Sequence, residues 1–153
     1  MEYLLIKSIH VLAAIVALGA NLTYGVWLSL ASRDEKALPF ALRGIKVLDD
    51  RLATPSYVVL LVTGLLMVYL IKLPFTLPWL LTALALYAVT ALVGILAYAP
   101  TLRTQIRLAE DPGPSSLEYQ KAAMRGQRLG ILTIVIVVAI VFLMVVKPPL
   151  WFA

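Results

Sequence analysis

The chain has 153 residues, of which 62% are hydrophobic and 14% are charged, and its mean hydropathy is +0.96. This composition excludes an ordinary soluble domain and leaves no length for a soluble catalytic unit beside the apolar runs. The formal net charge is +5, but the basic residues flank apolar runs, so the expected partners are anionic lipid headgroups and not nucleic acid. Cysteine is absent, which excludes disulfides, thiolate metal sites and cysteine nucleophiles.

Four apolar runs are long enough to cross a bilayer, which takes roughly 17 to 25 helical residues. They cover residues 3–30, 55–71, 78–99 and 129–146. The first run is longer than a signal-peptide core and lacks a small-x-small cleavage site before its charged flank, so we expect it to stay in the mature protein. The sequence predicts an all-α, single-domain, polytopic membrane protein: a four-transmembrane-helix bundle.

Capping residues and prolines predict where these helices begin and end. Thr54-Pro55 is typical of an N-cap followed by proline at the first helical position, and Pro78 stands in an equally tolerant first turn. Pro100 is expected to end the third helix, and Pro148-Pro149 the fourth. Ser115-Ser116-Leu117-Glu118 matches a capping box, so the fourth helix should begin well before the membrane.

Lysine and arginine are concentrated in two segments, which predicts the orientation of the chain. The segment between the first two spans and residues 100–128 between the last two each carry five: Arg33, Lys36, Arg43, Lys46 and Arg51, then Arg103, Arg107, Lys121, Arg125 and Arg128. The other side has only Lys7, Lys72 and Lys147, placed beside Tyr3, Trp79 or Trp151. The positive-inside rule therefore predicts two cytoplasmic segments and an N-out/C-out protein of the bacterial cytoplasmic membrane.

The cytoplasmic segment 34–52 has a helical pattern of its own. Leucine or isoleucine recurs at Leu38, Leu42, Ile45, Leu48 and Leu52, with charged residues between them. This spacing predicts an amphipathic helix lying on the membrane surface, with its apolar stripe in lipid.

His10 is the only histidine, and it lies on a polar, small-residue stripe of the first helix. The stripe comprises Tyr3, Lys7, His10, Ala14, Ala17, Asn21 and Tyr24. A polar atom facing hydrocarbon is costly unless paired, so the stripe should face the bundle interior. His10 is either a haem or metal ligand or a histidine bonded to a neighbouring helix.

Met67 and Met144 lie at a depth comparable to that of His10 if the topology is as predicted. Histidine with methionine is an axial pair for haem iron, and the same donors suit Cu(I). The alternative is ordinary core packing, because methionine commonly fills gaps.

The other polar residues in the spans indicate structural roles rather than transport or catalysis. The spans contain no aspartate, glutamate or arginine, which argues against ion-coupled transport. Tyr57, Tyr69, Tyr87, Tyr98 and several threonines are expected to hydrogen bond across helices. Gly126 and Gly130 form a GxxxG spacing that suits packing within one chain as well as a homo-oligomer.

Local motifs resemble a family of small four-helix bacterial membrane proteins known only as a domain of unknown function. The motifs are Lys7-Ser8-Ile9-His10 with Gly19, Asp50-Arg51-Leu52-Ala53-Thr54-Pro55 leading to Thr63-Gly64-Leu65, and Met144-Val145-Val146-Lys147-Pro148. The Lys-x-x-His opening is more distantly similar to HemJ-type protoporphyrinogen oxidases and to copper-resistance D membrane proteins. The HemJ resemblance implies haem b binding by His10. That family's second haem-associated residue, a lysine, has no counterpart in the third span, and its aromatic and arginine motif is absent.

Three functions follow as hypotheses. The first is an accessory membrane protein, not itself an enzyme, that holds haem b or copper through His10. The second is a HemJ-like oxidase acting on a porphyrinogen, and the third is a cofactor-free subunit of a larger membrane complex.

Overall fold

A computed structural model describes residues 1–149 of the chain, so Trp151 lies outside the described residues. It contains α1 (Glu2–Ala31), α2 (Leu38–Leu48), α3 (Thr54–Leu70), α4 (Pro78–Val93), α5 (Ala99–Glu110) and α6 (Leu117–Val146). Wide helical turns at Asp49–Ala53 and Gly94–Tyr98 join α2 to α3 and α4 to α5. Within the described residues, four continuous helices are therefore long and apolar enough to cross a membrane. The predicted four-helix membrane bundle is confirmed.

Two prolines that were expected at helix boundaries lie inside continuous helices. In each case a wide turn immediately precedes the proline: the amide of Thr54 bonds to the carbonyl of Asp49, and the amide of Ala99 to that of Gly94. A proline offers no N–H and crowds the preceding turn, and a wide turn relieves both problems. The predicted N-cap at Thr54 and the predicted helix end at Pro100 are therefore wrong.

The start of α6 agrees with the sequence in position but not in detail. Ser116 is the N-cap, and its hydroxyl accepts a hydrogen bond from the Tyr119 amide at 3.3 Å. Because the cap is Ser116 and not Ser115, Glu118 does not occupy the third helical position that a capping box requires. The helix nonetheless begins well before the apolar run at residue 129.

The bundle is built from two helix pairs. α1 packs along α3, α4 packs along α6, and the pairs meet where α1 contacts α6. In the described part of the chain, no Cα atom of α3 comes within 8 Å of one in α4. The ring of four helices is consequently open on the side between α3 and α4.

Small residues mediate the α1–α3 contact. Ala13 and Ala17 on α1 are buried, as is Thr63 on α3, while Leu12, Ile15 and Val16 are exposed on the outer surface of the bundle. Small side chains let membrane helices approach closely, and the exposed apolar residues suit contact with lipid tails. The stripe predicted on α1 does face inward from His10 to Tyr24.

The two basic segments fold into a cap over one end of the bundle, formed by α2 and α5 with the adjoining ends of α1 and α6. Its core contains Leu42 and Ile45, which are 0% and 1% exposed, together with Leu38, Leu102 and Tyr119. Segment 34–52 is amphipathic as predicted, but its stripe packs against α1 and α5. The expectation that this stripe faces lipid is wrong for Leu38, Leu42 and Ile45, which protein buries, whereas Leu52 is 44% exposed.

Candidate functional site

A cavity of about 1060 Å³ lies between the two helix pairs, directly under the cap. Its walls come from α1, α3, α4 and α6 and from the cap segments, and most of the wall surface is apolar. We call it the tyrosine cavity, because Tyr24, Tyr57, Tyr87, Tyr98 and Tyr119 all line it. It sits at the end of the bundle that carries the two basic segments, here called the basic end.

Hydrogen bonds fix two of these tyrosines across helices. The Asn21 side-chain amide donates to the Tyr57 hydroxyl at 2.9 Å, and the Tyr87 hydroxyl donates to the Tyr57 backbone carbonyl at 2.9 Å. The second bond bridges the open side of the ring between α3 and α4. Tyr57 and Tyr87 thus behave as the sequence predicts, whereas Tyr69 is 78% exposed and does not line the cavity.

Asp49 brings a carboxylate to the cavity wall at the first residue of the wide turn between α2 and α3. The Tyr24 hydroxyl donates to its Oδ1 at 3.3 Å. Lys46 bonds to Asp50, and Arg43 bonds to Glu110 at 2.6 Å, while Arg103 also lines the cavity. Among the described residues, no lysine or arginine forms an ion pair with Asp49.

Gly126 allows α5 and α6 to pack closely together at the cap end of the cavity. Gln105, only 5% exposed, donates from Nε2 to the Ala122 carbonyl at 2.8 Å. A Cβ atom at position 126 would lie 2.0 Å from that same Nε2, while one at Gly130 would meet nothing within 4 Å. The first glycine of the GxxxG spacing therefore serves packing within the chain.

His10 lies toward the opposite end, where its Nδ1 is 2.8 Å from the Thr63 hydroxyl oxygen on α3. That hydroxyl has one hydrogen, and its 2.6 Å contact with the Val59 carbonyl assigns the hydrogen there. The oxygen then accepts from Nδ1–H, so we assign the tautomer whose Nε2 carries a lone pair. A ring held in this way is oriented as metal-ligating histidines usually are.

The structure places Met67 near this histidine by helix geometry and Met144 on a different helix pair. Met67 follows Thr63 by one turn of α3, about 6 Å along the axis, on the same helix face. Met144 lies one turn before Lys147, whose ammonium stands 5.4 Å from the centre of the Trp79 ring. No hydrogen bond joins either methionine sulfur to His10 within residues 1–149.

The predicted ligands do not border the large cavity. His10, Met67 and Met144 are all described residues, and none of them is part of its wall. No three His, Asp or Glu side chains of the described residues come together in a metal-binding group. A metal at His10 would therefore take its remaining ligands from methionine sulfur, a porphyrin or solvent.

Sequence reasoning missed the tyrosine cavity and Asp49. Asp49 lies outside the four apolar runs, so the sequence pattern did not identify it as a polar residue of the membrane domain. One signal was present: the stripe on α1 continues through Asn21 to Tyr24, which indicates an inward polar surface at the basic end. What faces that surface depends on the wide turn at Asp49–Ala53, which places Asp49 between α2 and α3.

The model of one protein family, described as "Predicted integral membrane protein (DUF2269)", matches residues 4–148. No curated protein and no solved structure matches the chain.

Proposed function

Since the chain belongs to the DUF2269 family of predicted integral membrane proteins, we propose that it is a membrane-embedded binding protein whose tyrosine cavity holds a small amphipathic molecule. One observation carries the proposal: a cavity of about 1060 Å³ lies between the helix pairs and combines a mostly apolar wall surface with converging polar groups. Ligand sites in proteins are typically of roughly 300 to 1000 Å³ and have this composition. Such a role does not require a catalytic nucleophile or a general base.

Native mass spectrometry of the protein extracted from membranes tests this function. Wild type should carry a bound small molecule, and Ala91→Phe should lose it, because Ala91 lines the cavity. Ala85→Phe is the matched control, since Ala85 is an exposed residue of the same helix and is not part of the wall. A wild-type protein with no bound mass, or a mass retained by Ala91→Phe, would contradict the proposal.

A second candidate function is an accessory role with haem b or copper held by His10. The Nδ1–Thr63 hydrogen bond favours it, because the bond leaves Nε2 unprotonated and fixes the ring. The donors present fit either group: imidazole with methionine sulfur suits Cu(I) or a haem iron, and Met67 and Met144 are the candidate sulfur ligands. Bound there, haem or copper would supply electron-transfer chemistry.

The absorbance and copper content of the purified protein test this second function. A Soret band or bound copper in wild type, abolished in His10→Ala with membrane insertion intact, is the expected result. Porphyrinogen oxidation by the haem-loaded protein would then support a HemJ-like oxidase over an accessory role. A wild type without haem after haem-replete expression, and without copper after copper-replete expression, would favour a structural subunit of a larger complex.

We further propose that the protein resides in the bacterial cytoplasmic membrane with its basic end in the cytoplasm. Five basic residues in each capping segment support this orientation, since cytoplasmic loops retain lysine and arginine. Anionic lipid headgroups would then surround the cap.

A further inference from the structure

The charges around the tyrosine cavity have the opposite balance to those of the whole chain. The protein has a formal net charge of +5, yet the ionisable carboxylates and cations on the cavity wall are Glu35, Asp49 and Asp50 against Lys46 and Arg103. Lys46 is engaged with Asp50. The carboxylate of Asp49 is thus a negative charge at the cavity wall that no cation of residues 1–149 pairs with.

Several side chains around this carboxylate are aromatic. Tyr24 donates to Asp49, and Tyr57 and Tyr98 line the same cavity. The face of a tyrosine ring carries partial negative charge and attracts cations, most strongly where water is excluded. A carboxylate with several aromatic rings is the combination that proteins use for organic cations, which are too large and too weakly hydrated for an all-oxygen metal site.

The open side of the helix ring indicates how such a molecule would enter. α3 and α4 are joined there by the Tyr87–Tyr57 hydrogen bond, and their backbones do not pack together in the described residues. In a bilayer this side faces lipid, so it is the expected entry route for a molecule that is itself soluble in the membrane.

We propose that the tyrosine cavity binds a lipophilic organic cation, with the Asp49 carboxylate as its counter-ion and Tyr24, Tyr57 and Tyr98 as surrounding rings. This inference rests on the proposed binding function and names its ligand class. A permanent positive charge spread over an apolar body matches both the carboxylate and the apolar walls. Neutral amphiphiles use only the apolar walls, and the excess of carboxylates over cations on the wall disfavours anions.

Tetraphenylphosphonium and tetraphenylborate are suitable probes, because they share a shape and differ in the sign of charge. Binding of each to the full chain in detergent micelles can be measured by equilibrium dialysis. Wild type should prefer the phosphonium. Asp49→Asn should weaken phosphonium binding at least tenfold and leave borate binding equal or stronger, whereas Glu2→Gln removes an exposed charge at the opposite end of the bundle and should change neither.

The aromatic contribution has its own pair of variants. Tyr98→Phe keeps the ring and should bind the phosphonium as wild type does, while Tyr98→Leu should weaken binding by about 2- to 30-fold, the range for a cation–aromatic contact. Equal affinity for both probes in wild type, or no effect of Asp49→Asn, would overturn the cation proposal. The binding function would stand in that case if native mass spectrometry still shows a bound mass that Ala91→Phe removes, and would fail if it does not.

Discussion

The two ends of the bundle are held together by different physical means. At the basic end, the cap buries large apolar side chains such as Leu42 and Ile45 in a core like that of a soluble domain. At the opposite end, His10 bonds to Thr63, and the Lys147 ammonium stands over the Trp79 ring. The hydrophobic effect acts where water surrounds the protein, whereas helices within lipid depend on close packing and polar contacts.

The same difference distinguishes the packed cap from the cavity that lies beneath it. The cap spans the ends of both helix pairs and leaves the tyrosine cavity beneath it, between pairs whose α3 and α4 backbones stay apart. The buried core of the cap therefore joins the two helix pairs at the basic end, where α3 and α4 do not pack against each other.

Reporter fusions give the largest expected effect, an all-or-none difference between the ends. Alkaline phosphatase is active only outside the cytoplasm, so a fusion after Ala153 should be active and an insertion near Gly113, between α5 and α6, inactive. The reverse pattern would place the cap and its cavity outside the cell.

Leu42→Ala should destabilise the protein by about 2 to 5 kcal/mol, because it removes a fully buried side chain from the cap core. Phe40→Ala deletes a larger side chain that is 73% exposed, and it should change stability far less. Thermal unfolding in detergent measures both. Similar losses for the two variants would show that the cap is not a packed core.

Gly126→Ala should be less stable than Gly130→Ala by about 1 to 3 kcal/mol. Both changes gain the same helix propensity, but only the first displaces the Gln105 amide from its bond to the Ala122 carbonyl and leaves it buried without a partner. The comparison can be repeated in a Gln105→Ala background, where the difference should disappear. Its persistence there would assign the cost to another contact.

Thr63→Val should cost about 1 kcal/mol, the typical net value of one hydrogen bond. The change keeps the side-chain shape and removes the partner of His10. Thr82→Val is the control, because the Thr82 hydroxyl donates at 2.8 Å to the Pro78 carbonyl of its own helix. If the two variants lose equal stability, the His10 contact adds nothing between helices.

The sequence predicted those features that depend on local pattern. Four apolar runs of sufficient length predicted the four spanning helices, and the 3.6-residue period predicted that His10, Asn21 and Tyr24 share one inward face. Ser116 and its neighbours marked the early start of α6. Each of these results rests on residues close together in the chain.

The failures came where a distant contact or an irregular backbone decides. Proline normally interrupts a regular helix, but Pro55 and Pro100 each follow a wide turn that the residue pattern did not predict. The stripe at Leu42 and Ile45 required an apolar partner, and periodicity does not say whether lipid or protein provides it. Asp49 reaches the cavity only because the chain continues through that wide turn into α3.

The most direct test of the binding site is a crystal structure of the protein with tetraphenylarsonium, whose arsenic scatters X-rays anomalously. We expect one strong arsenic peak inside the tyrosine cavity of the wild-type protein, beside Asp49 and among Tyr24, Tyr57 and Tyr98, and its loss in Asp49→Asn. A peak outside the cavity, no peak in the wild type, or an unchanged peak in the variant would contradict it.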